Sequence, residues 1–444
     1  MGQGPASESR DVFKTLDLAL RIGEVLLSSG AGAADVSATM LSVARVCGLR
    51  GATADVTFTS LSMSHQASLE EPGVVQMRQV THREIDYEDL TLVDHLVRDL
   101  LRGAIDRDEA RSRLAQVVSS GHRLPRWAVT VGWGVMGGGV GLLLGGNVYV
   151  TLIALGAAAG IDVLQRAMSR RRLPGFYQQV AGGLLATLVA VATAASGVQV
   201  DPSRVVTAGI IMLLAGVSFM GAVQDALTGY PLTAGARVLE ATLATAGIIA
   251  GVSGGLTLGR TFGINLGRLV PGAAGWTDLP VMCLGAAISA GAFAFASYAP
   301  LRSLLPIAVV GAVAEAIYLS THRDLGAAWA SAIAAVVIGV VSYSVAGRVR
   351  VPPLVVVVSA IVPLLPGLSI YKGLSLLGSG GNGNGVLSLI TAAAIAIALA
   401  SGVILGEYIA QPLKREARRL ETRLSGPRLV GPLRVRSVRR PRSR

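Results

Sequence analysis

The sequence predicts a polytopic α-helical membrane protein, with about ten transmembrane helices in two inverted five-helix repeats, preceded by a small cytoplasmic α/β domain. Three observations support this fold class: the apolar composition, a series of long apolar stretches, and an internal repeat. Of 444 residues, 52% are hydrophobic and 15% charged, and the mean hydropathy is +0.58. The hydrophobic share and the mean hydropathy exceed those of soluble domains with polar surfaces, and the charged share is lower than theirs. The apolar stretches are rich in small residues, which let helix backbones approach closely.

The N-terminal region combines helical and strand patterns. Apolar residues spaced by three and four predict four helices, over residues 11–29, 36–47, 87–101 and 106–118. We expect Asp35 to cap the second helix and Gly48 to end it, and Asp106 to cap the fourth. Alternating side chains predict one strand over 53–63 and a partner over 74–81. Because the region lacks a signal-peptide pattern, we expect it to stay in the cytoplasm.

The rest of the chain contains apolar stretches that are each close to the ~20 residues a bilayer requires. They lie near 126–146, 148–165, 177–196, 204–223, 238–259, 279–297, 300–319, 326–346, 352–377 and 386–409. With the N-terminus inside, eight arginines fall in inner loops and four in outer ones, which supports this orientation. The predicted units are a cytoplasmic domain, two membrane repeats and a disordered basic tail, at 1–124, 125–260, 261–411 and 412–444.

The ninth stretch is predicted to be a broken transmembrane helix. Pro363, Pro366 and Gly367 interrupt an otherwise apolar run. A break at membrane depth is tolerated only where protein or a water-filled cavity supplies new partners for the freed backbone groups. The break therefore indicates a transport pathway.

A gapless repeat links this stretch to the fourth one. Residues 202–218 align with 353–369 at an offset of 151, and eight of the 17 positions are identical. Gly216 corresponds to Gly367. Because each repeat has an odd number of spans, the second half is predicted to be inverted, an arrangement from which many secondary transporters build a site near the bilayer midplane.

Ionisable residues within apolar stretches are candidates for coupling transport to protons. Asp162 and Glu315 lie well inside their predicted spans, whereas Glu240 and Glu407 lie near span ends, within reach of interfacial water. A charge in the membrane is costly, so a buried carboxylate is a functional candidate by default. We therefore select Asp162 and Glu315 as candidate proton carriers.

Polar residues beside the two breaks are candidates for substrate binding. Gln224 and Asp225 follow the first break and Lys372 follows the second, so one acidic and one basic group would suit a zwitterion. Alternatively, Asp225 and Lys372 pair with each other or lie at interfaces. Three hydroxyl-bearing residues in the same repeats could bind a small polar substrate, namely Ser218, Ser369 and Tyr371.

Several other functions find no support. The chain has no GxxxxGK[ST] nucleotide loop and no metal-ligand spacing, and its two cysteines predict no disulfide framework, so we expect neither a cofactor nor a metal nor an enzyme active site. Residues 411–444 contain 12 Lys or Arg and 2 Glu. Since this basic segment directly follows a span, we expect membrane lipids rather than nucleic acid as its partner. The sequence leaves homo-oligomerisation open.

Three stretches resemble the threonine/serine exporter family. The segment DLALRIGEVLLSSGAGAADVSATMLSVARVCGL, from Asp17, is similar to the start of that family's cytoplasmic domain. Residues 224–240 are similar to the loop after its fourth span, and PLLPGLSIY at 363–371 to the motif of its C-terminal half. This chain departs from the family at Ala215, where the family has a proline, so we expect a milder break in the fourth span.

The resemblance implies a ten-span exporter of threonine and serine in the inner membrane, driven by the proton-motive force. An alternative is export of a dicarboxylate such as succinate, which would need more positive charge than Lys372 supplies. A third possibility makes the N-terminal domain a membrane-tethered hydrolase or sensor. Ten spans are far more than an anchor needs, which disfavours that possibility.

Overall fold

The fold is mostly helical, as seen in a computed structural model that describes residues 5–421 apart from 69, 71, 82, 197–201, 212, 214–215, 265–278 and 379–381. Six helices in the described part are long and apolar enough to cross a membrane: Val148–Arg170, Gly175–Ala195, Pro231–Thr261, Leu279–Ala296, Leu301–Val349 and Gly383–Ala410. The chain is therefore a polytopic helical protein, as predicted.

Among its described residues, the N-terminal domain has four helices and a three-stranded antiparallel sheet, on which the first two helices pack. The helices are α1 (Pro5–Ser28), α2 (Ala33–Val46), α3 (Tyr87–Leu101) and α4 (Arg107–Ser120), and the strands are β1 (Thr53–Val56), β2 (Ser60–His65) and β3 (Val74–Gln79), in the order β1-β2-β3. Helix α3 has the predicted bounds. Asp106 caps α4 as predicted, since its carboxylate accepts a hydrogen bond from the Glu109 N–H.

The prediction of a single strand over 53–63 was wrong, because this segment forms two strands joined by a tight turn. Residues 57–59 form the turn, which is closed by hydrogen bonds from the Thr57 N–H to the Ser60 carbonyl and between the Thr57 and Ser60 hydroxyls. The apolar positions change phase across the turn, because Val56 and Leu61, both buried, are an odd number of positions apart. The prediction treated the segment as one alternating run and therefore missed the reversal.

The start of α2 also differs from the prediction. Gly32 is the N-cap residue and provides no side chain, while Asp35 lies inside the first turn. The helix end was predicted correctly, since Gly48 has a positive φ of 96° and the Leu49 N–H bonds back to the Ala44 carbonyl.

In the part of the chain that the structure describes, eleven α-helices follow the N-terminal domain. They are α5 (Arg126–Leu143), α6 (Val148–Arg170), α7 (Gly175–Ala195), α8 (Pro202–Ile211), α9 (Gly216–Leu227), α10 (Pro231–Thr261), α11 (Leu279–Ala296), α12 (Leu301–Val349), α13 (Pro353–Ile361), α14 (Gly367–Gly378) and α15 (Asn382–Glu421). Gly326 divides α12 into two segments, because its φ of 78° and ψ of 168° are not helical. Helix α15 continues into the segment predicted as a tail, and residues 422–444 lie outside the described part.

The two interrupted helices have matching bounds. Helix α8 ends at Ile211 and α9 begins at Gly216, while α13 ends at Ile361 and α14 begins at Gly367. With the offset of 151, these bounds agree to within one residue. Ala215, where we expected a milder break, lies outside the described residues, so that expectation stays a prediction.

The two breaks contact each other. A Cβ placed on Gly216 would lie 2.9 Å from the Leu365 Cβ, closer than side chains approach in real structures. Leu365 follows a short 3₁₀ turn, Val362–Leu364, that contains Pro363. Only glycine therefore fits where the start of α9 crosses the break between α13 and α14.

Glycines also allow close packing between other pairs of membrane helices. Helix α7 packs on α10, where a Cβ at Gly183 would lie 2.7 Å from the Ile248 carbonyl oxygen. Helix α12 packs on α15, where a Cβ at Gly402 would lie 2.7 Å from the Ala332 carbonyl oxygen. Both contacts follow the small-residue packing expected from the composition.

Candidate functional site

The N-terminal domain is attached to one end of the membrane helices by an apolar contact. Its core continues without interruption into Phe293 of α11 and Val355 and Val356 of α13. Tyr87, at the start of α3, is buried with its ring edge-on to Phe293, and its N–H donates to the Ser297 carbonyl at 2.9 Å. We call the end of the helices that meets this domain the domain-facing end.

A second contact, to α9 and α10, is polar. The carboxylate of Asp225 is fully buried and accepts a hydrogen bond from the Ala33 N–H at 3.0 Å. Asp225 thus takes the role predicted for Asp35, by supplying the negative charge at the N-terminus of α2. Arg237 pairs with Asp225 at 3.2 Å and donates to the Ala31 carbonyl at 3.4 Å, while the Thr233 hydroxyl donates to the Val56 carbonyl.

A cavity of about 160 Å³ lies between these two contacts. One wall is formed by the N-terminal domain and the other by α9, α10 and α13. The membrane side contributes Ser218, Gln224, Arg237 and Glu240, and the domain contributes Ser28, Ser29, Arg83 and Glu84. The cavity is smaller than the ~300–1,000 Å³ of pockets for drug-sized ligands. Its size suits a small polar molecule.

The charged groups that line the cavity have both signs. Arg83 and Arg237 are positive, whereas Glu84 and Glu240 are negative. Arg237 is already engaged by Asp225. The guanidinium of Arg83 lies over the Phe58 ring at 4.3 Å, and burial, together with Arg237, lowers the Arg83 pKa to about 10. A cavity with both signs of charge can hold a molecule that carries both signs.

The structure distinguishes the two candidate proton carriers. Asp162 forms an ion pair with Arg166, one turn further along α6, which also donates to the Thr130 hydroxyl. Glu315 of α12 is buried, and its Oε2 has no hydrogen-bond partner among the described residues. Its neighbour Ala314 belongs to the same apolar cluster as Leu364, within the break of the ninth span.

The remaining predicted residues lie in or after the second break. Pro366 is buried, Pro363 and Ser369 are half-buried and Lys372 is exposed. The Tyr371 side chain lies outside the described part. None of the five is among the described residues that line the cavity. The structure therefore brings Ser218 and Gln224 together at the cavity, with Asp225 behind Arg237, whereas Lys372 is not part of this group.

Sequence reasoning missed Arg83 and Arg237. Arg237 lies within residues 224–240, a stretch whose pattern was recognised but whose arginine was counted only as a loop charge. Arg83 is in an irregular segment between β3 and α3, and no periodicity marks it. Only the docking of the two parts of the chain places Arg83 beside α9 and α10.

The comparisons with known proteins agree over nearly the whole chain. A sequence model of the threonine/serine exporter family matches residues 17–259, and a second one, "Threonine/Serine exporter, ThrE", matches 282–409. A Mycobacterium tuberculosis protein named "Probable threonine/serine exporter" is 37% identical over 424 residues, covering 93% of this chain and 80% of that protein. The "Threonine/serine exporter" of Corynebacterium glutamicum is 33% identical over 418 residues, covering 93% and 86%.

No solved structure matches this chain. The apolar helices and these relatives together make it a multi-pass membrane protein. Because one family model matches more than half of the chain, and both relatives are aligned over most of their length, the chain belongs to the threonine/serine exporter family.

Proposed function

We propose that this chain exports threonine and serine across a bacterial-type plasma membrane, coupled to the entry of protons. The observation that carries the proposal is the contact between the two broken helices, Gly216 against Leu365, beside a small cavity lined by charges of both signs. Broken helices that meet within a bundle free backbone groups for a ligand. The names of the relatives supply the substrates.

The proposed architecture has ten spans in two inverted repeats. The six long helices become ten spans when α12 is divided at Gly326, α5 is included, and each interrupted pair, α8 with α9 and α13 with α14, counts as one span. The matching bounds of the two interrupted pairs support the repeat. In this scheme the first half places the interrupted span α8–α9 next to the glycine-packed pair α7 and α10. The second half places α13–α14 next to the glycine-packed pair α12 and α15.

The proposed orientation places the N-terminal domain and the C-terminus in the cytoplasm. Arg302 donates to the Val349 carbonyl at the domain-facing end, where Arg237 also lies. Arg204 instead donates to the Gly145 carbonyl, between α5 and α6. Basic side chains thus concentrate at the domain-facing end, as the positive-inside rule requires of a cytoplasmic side.

Charge balance favours an amino acid over a dicarboxylate. Arg237 is neutralised by Asp225, which leaves Arg83 as the lining cation without a carboxylate partner among the described residues. Glu84 and Glu240 face the same space. A dianion would meet two carboxylates and a single unpaired arginine there. A zwitterion instead brings a carboxylate for Arg83 and an ammonium for the glutamates.

Glu315 is our proposed proton carrier, because it is buried, lies near the second break and has no ion-pair partner in the described part of the chain. Asp162 is held by Arg166, so its loss should affect stability more than coupling. The test uses liposomes that contain the purified protein and are loaded with threonine, serine or succinate. A protease-sensitive tag on the protein defines which orientation contributes to the measured release. Acidifying the extracellular face should accelerate release of threonine and serine, and a protonophore should abolish that acceleration.

The matched variants are Glu315→Gln and Asp162→Asn. We expect Glu315→Gln to lose the response to the pH gradient by at least about tenfold, while Asp162→Asn keeps it. Release of succinate in preference to the amino acids would contradict the substrate assignment. An unchanged gradient response in Glu315→Gln would contradict the proton-carrier assignment and leave the substrates standing.

A further inference from the structure

Arg83 is the cation of the cavity for which the proposed function names no binding partner. It lies in the segment between β3 and α3 of the N-terminal domain, yet it lines a cavity whose opposite wall is membrane helix. The other lining arginine, Arg237, is occupied by Asp225 and the Ala31 carbonyl. Arg83 forms neither a hydrogen bond nor an ion pair with the described residues.

The guanidinium is nevertheless held in place. It stacks over Phe58, in the turn between β1 and β2, with 4.3 Å from its central carbon to the ring centroid. Stacking leaves the edge of the planar group, and so its N–H donors, available to a ligand. A half-buried, fixed and unpaired guanidinium is the group that proteins use to bind a carboxylate through two parallel hydrogen bonds.

The surroundings match the rest of an amino acid. Glu240 of α10 lies on the opposite wall and is close enough for its charge to raise the Arg83 pKa, although the two side chains form no ion pair. A molecule with a carboxylate and an ammonium can therefore fit between them. Ser218 and Gln224 offer polar groups for a side-chain hydroxyl.

We propose that Arg83 binds the carboxylate of the amino acid at its cytoplasmic loading site, so that the N-terminal domain forms one wall of that site. The inference rests on the proposed export of amino acids and gives the domain a direct part in recognising them. Arg83 thus acts on affinity and selectivity at loading, while Glu315 acts on the driving force.

The experiment compares two probes that differ at the carboxylate. Radiolabelled threonine efflux is measured in liposomes with full-length protein, and unlabelled threonine or threoninol, in which a hydroxymethyl group replaces the carboxylate, competes from the cytoplasmic face. In the unaltered protein, threonine should compete at least about tenfold better than threoninol. Threoninol has no carboxylate, so it cannot accept the charge-assisted hydrogen bonds that Arg83 donates to threonine.

In Arg83→Gln, KM for threonine should rise about tenfold or more, and the preference for threonine over threoninol should shrink by a similar factor. Arg83→Lys should give KM and preference values between those of the unaltered protein and Arg83→Gln, because lysine keeps the positive charge but cannot form two parallel hydrogen bonds. The matched control is Arg45→Gln, an exposed arginine of the same domain that does not line the cavity.

A general loss of folding would lower the maximal rate for all probes without changing the threonine-to-threoninol ratio. The proposal is overturned if Arg83→Gln keeps both the KM and the ratio of the unaltered protein, or if it loses rate at a constant ratio. Absence of threonine and serine efflux in the unaltered protein would instead contradict the proposed function itself.

Discussion

At the scale of single residues, Asp225 shows how burial assigns a role that sequence position does not. The sequence placed it after a break and suggested a substrate's ammonium or Lys372 as its partner. In the fold it is fully buried between the Ala33 N–H and Arg237. Since removing one partner of a buried ion pair leaves an uncompensated charge, Asp225 fastens the N-terminal domain to α9 and α10.

Asp35 is expected to make this attachment sensitive to pH. It lies in the first turn of α2, and burial, with the negative charges of Glu407 and Asp225, raises its pKa from 3.8 to about 8. The folded protein therefore holds a proton that the unfolded chain releases. Stability should fall as pH rises towards about 8 and then level off, because the charged carboxylate is disfavoured in the folded state.

The measurement is the thermal unfolding midpoint of the full-length protein in detergent between pH 6 and 9. This window avoids most of the titration of Asp89, whose pKa is raised to about 6. Asp35→Asn should show a smaller decrease across the window than the unaltered protein. Equal pH profiles for the two proteins would show that Asp35 does not titrate in this range.

At the scale of elements, proline and glycine located the interruptions of the helices, whereas alternation did not locate the ends of the strands. The Pro-Gly break at 366–367 and the gapless repeat located both interrupted helices to within a few residues. The alternating pattern merged β1 and β2, because residues 57–59 continue the two-residue period and the phase changes only after them, between Phe58 and Leu61. Proline and glycine restrict the backbone locally, so their effect can be predicted from sequence. A turn that is closed by hydrogen bonds, such as those of Thr57, depends on the folded geometry and cannot.

The contact between α7 and α10 provides a test of glycine packing with a control one turn away. A Cβ at Gly251 would collide with the Val180 carbonyl oxygen and lie 2.8 Å from the Leu184 nitrogen, whereas a Cβ at Gly254 would meet nothing within 4 Å. We expect Gly251→Ala to destabilise the protein by about 1–3 kcal/mol through overpacking. Gly254→Ala should be neutral or slightly stabilising, because alanine favours helix.

Thermal unfolding of the two variants in the same detergent measures this difference. Threonine efflux should follow stability, with Gly251→Ala lower and Gly254→Ala unchanged. If the two variants unfold at the same temperature, α7 and α10 are further apart than the structure places them.

At the scale of the whole molecule, the N-terminal domain spans the two membrane halves by contacts of different character. Towards α11 and α13 the contact is apolar and continuous with the domain core. Towards α9 and α10 it includes hydrogen bonds and an ion pair, and Val217 and Tyr230 add a smaller apolar part. Neither contact could be predicted from sequence, because each joins residues about 200 positions apart that share no common pattern.

This asymmetry predicts which contact opens when the cavity loads. Polar groups such as Asp225 and the Ala33 N–H can be rehydrated on separation, whereas parting the apolar contact would expose core side chains to water. We therefore expect the domain to stay on α11 and α13 while α9 and α10 move away from it. Cross-links at the two contacts should then differ in their effect on export.

The test introduces paired cysteines into a protein whose Cys47 and Cys283 are replaced by serine. Val56→Cys with Thr233→Cys bridges the polar contact, and His95→Cys with Arg350→Cys lies beside the apolar one, where the His95 ring is 3.2 Å from the Arg350 carbonyl. A bifunctional methanethiosulfonate reagent should stop threonine efflux in the first pair and leave it within about twofold in the second. Reduction should restore threonine efflux in the Val56→Cys/Thr233→Cys protein, which would exclude damage to the fold as the cause of the loss. Full efflux from the cross-linked first pair would mean that α9 and α10 stay attached to the domain throughout transport.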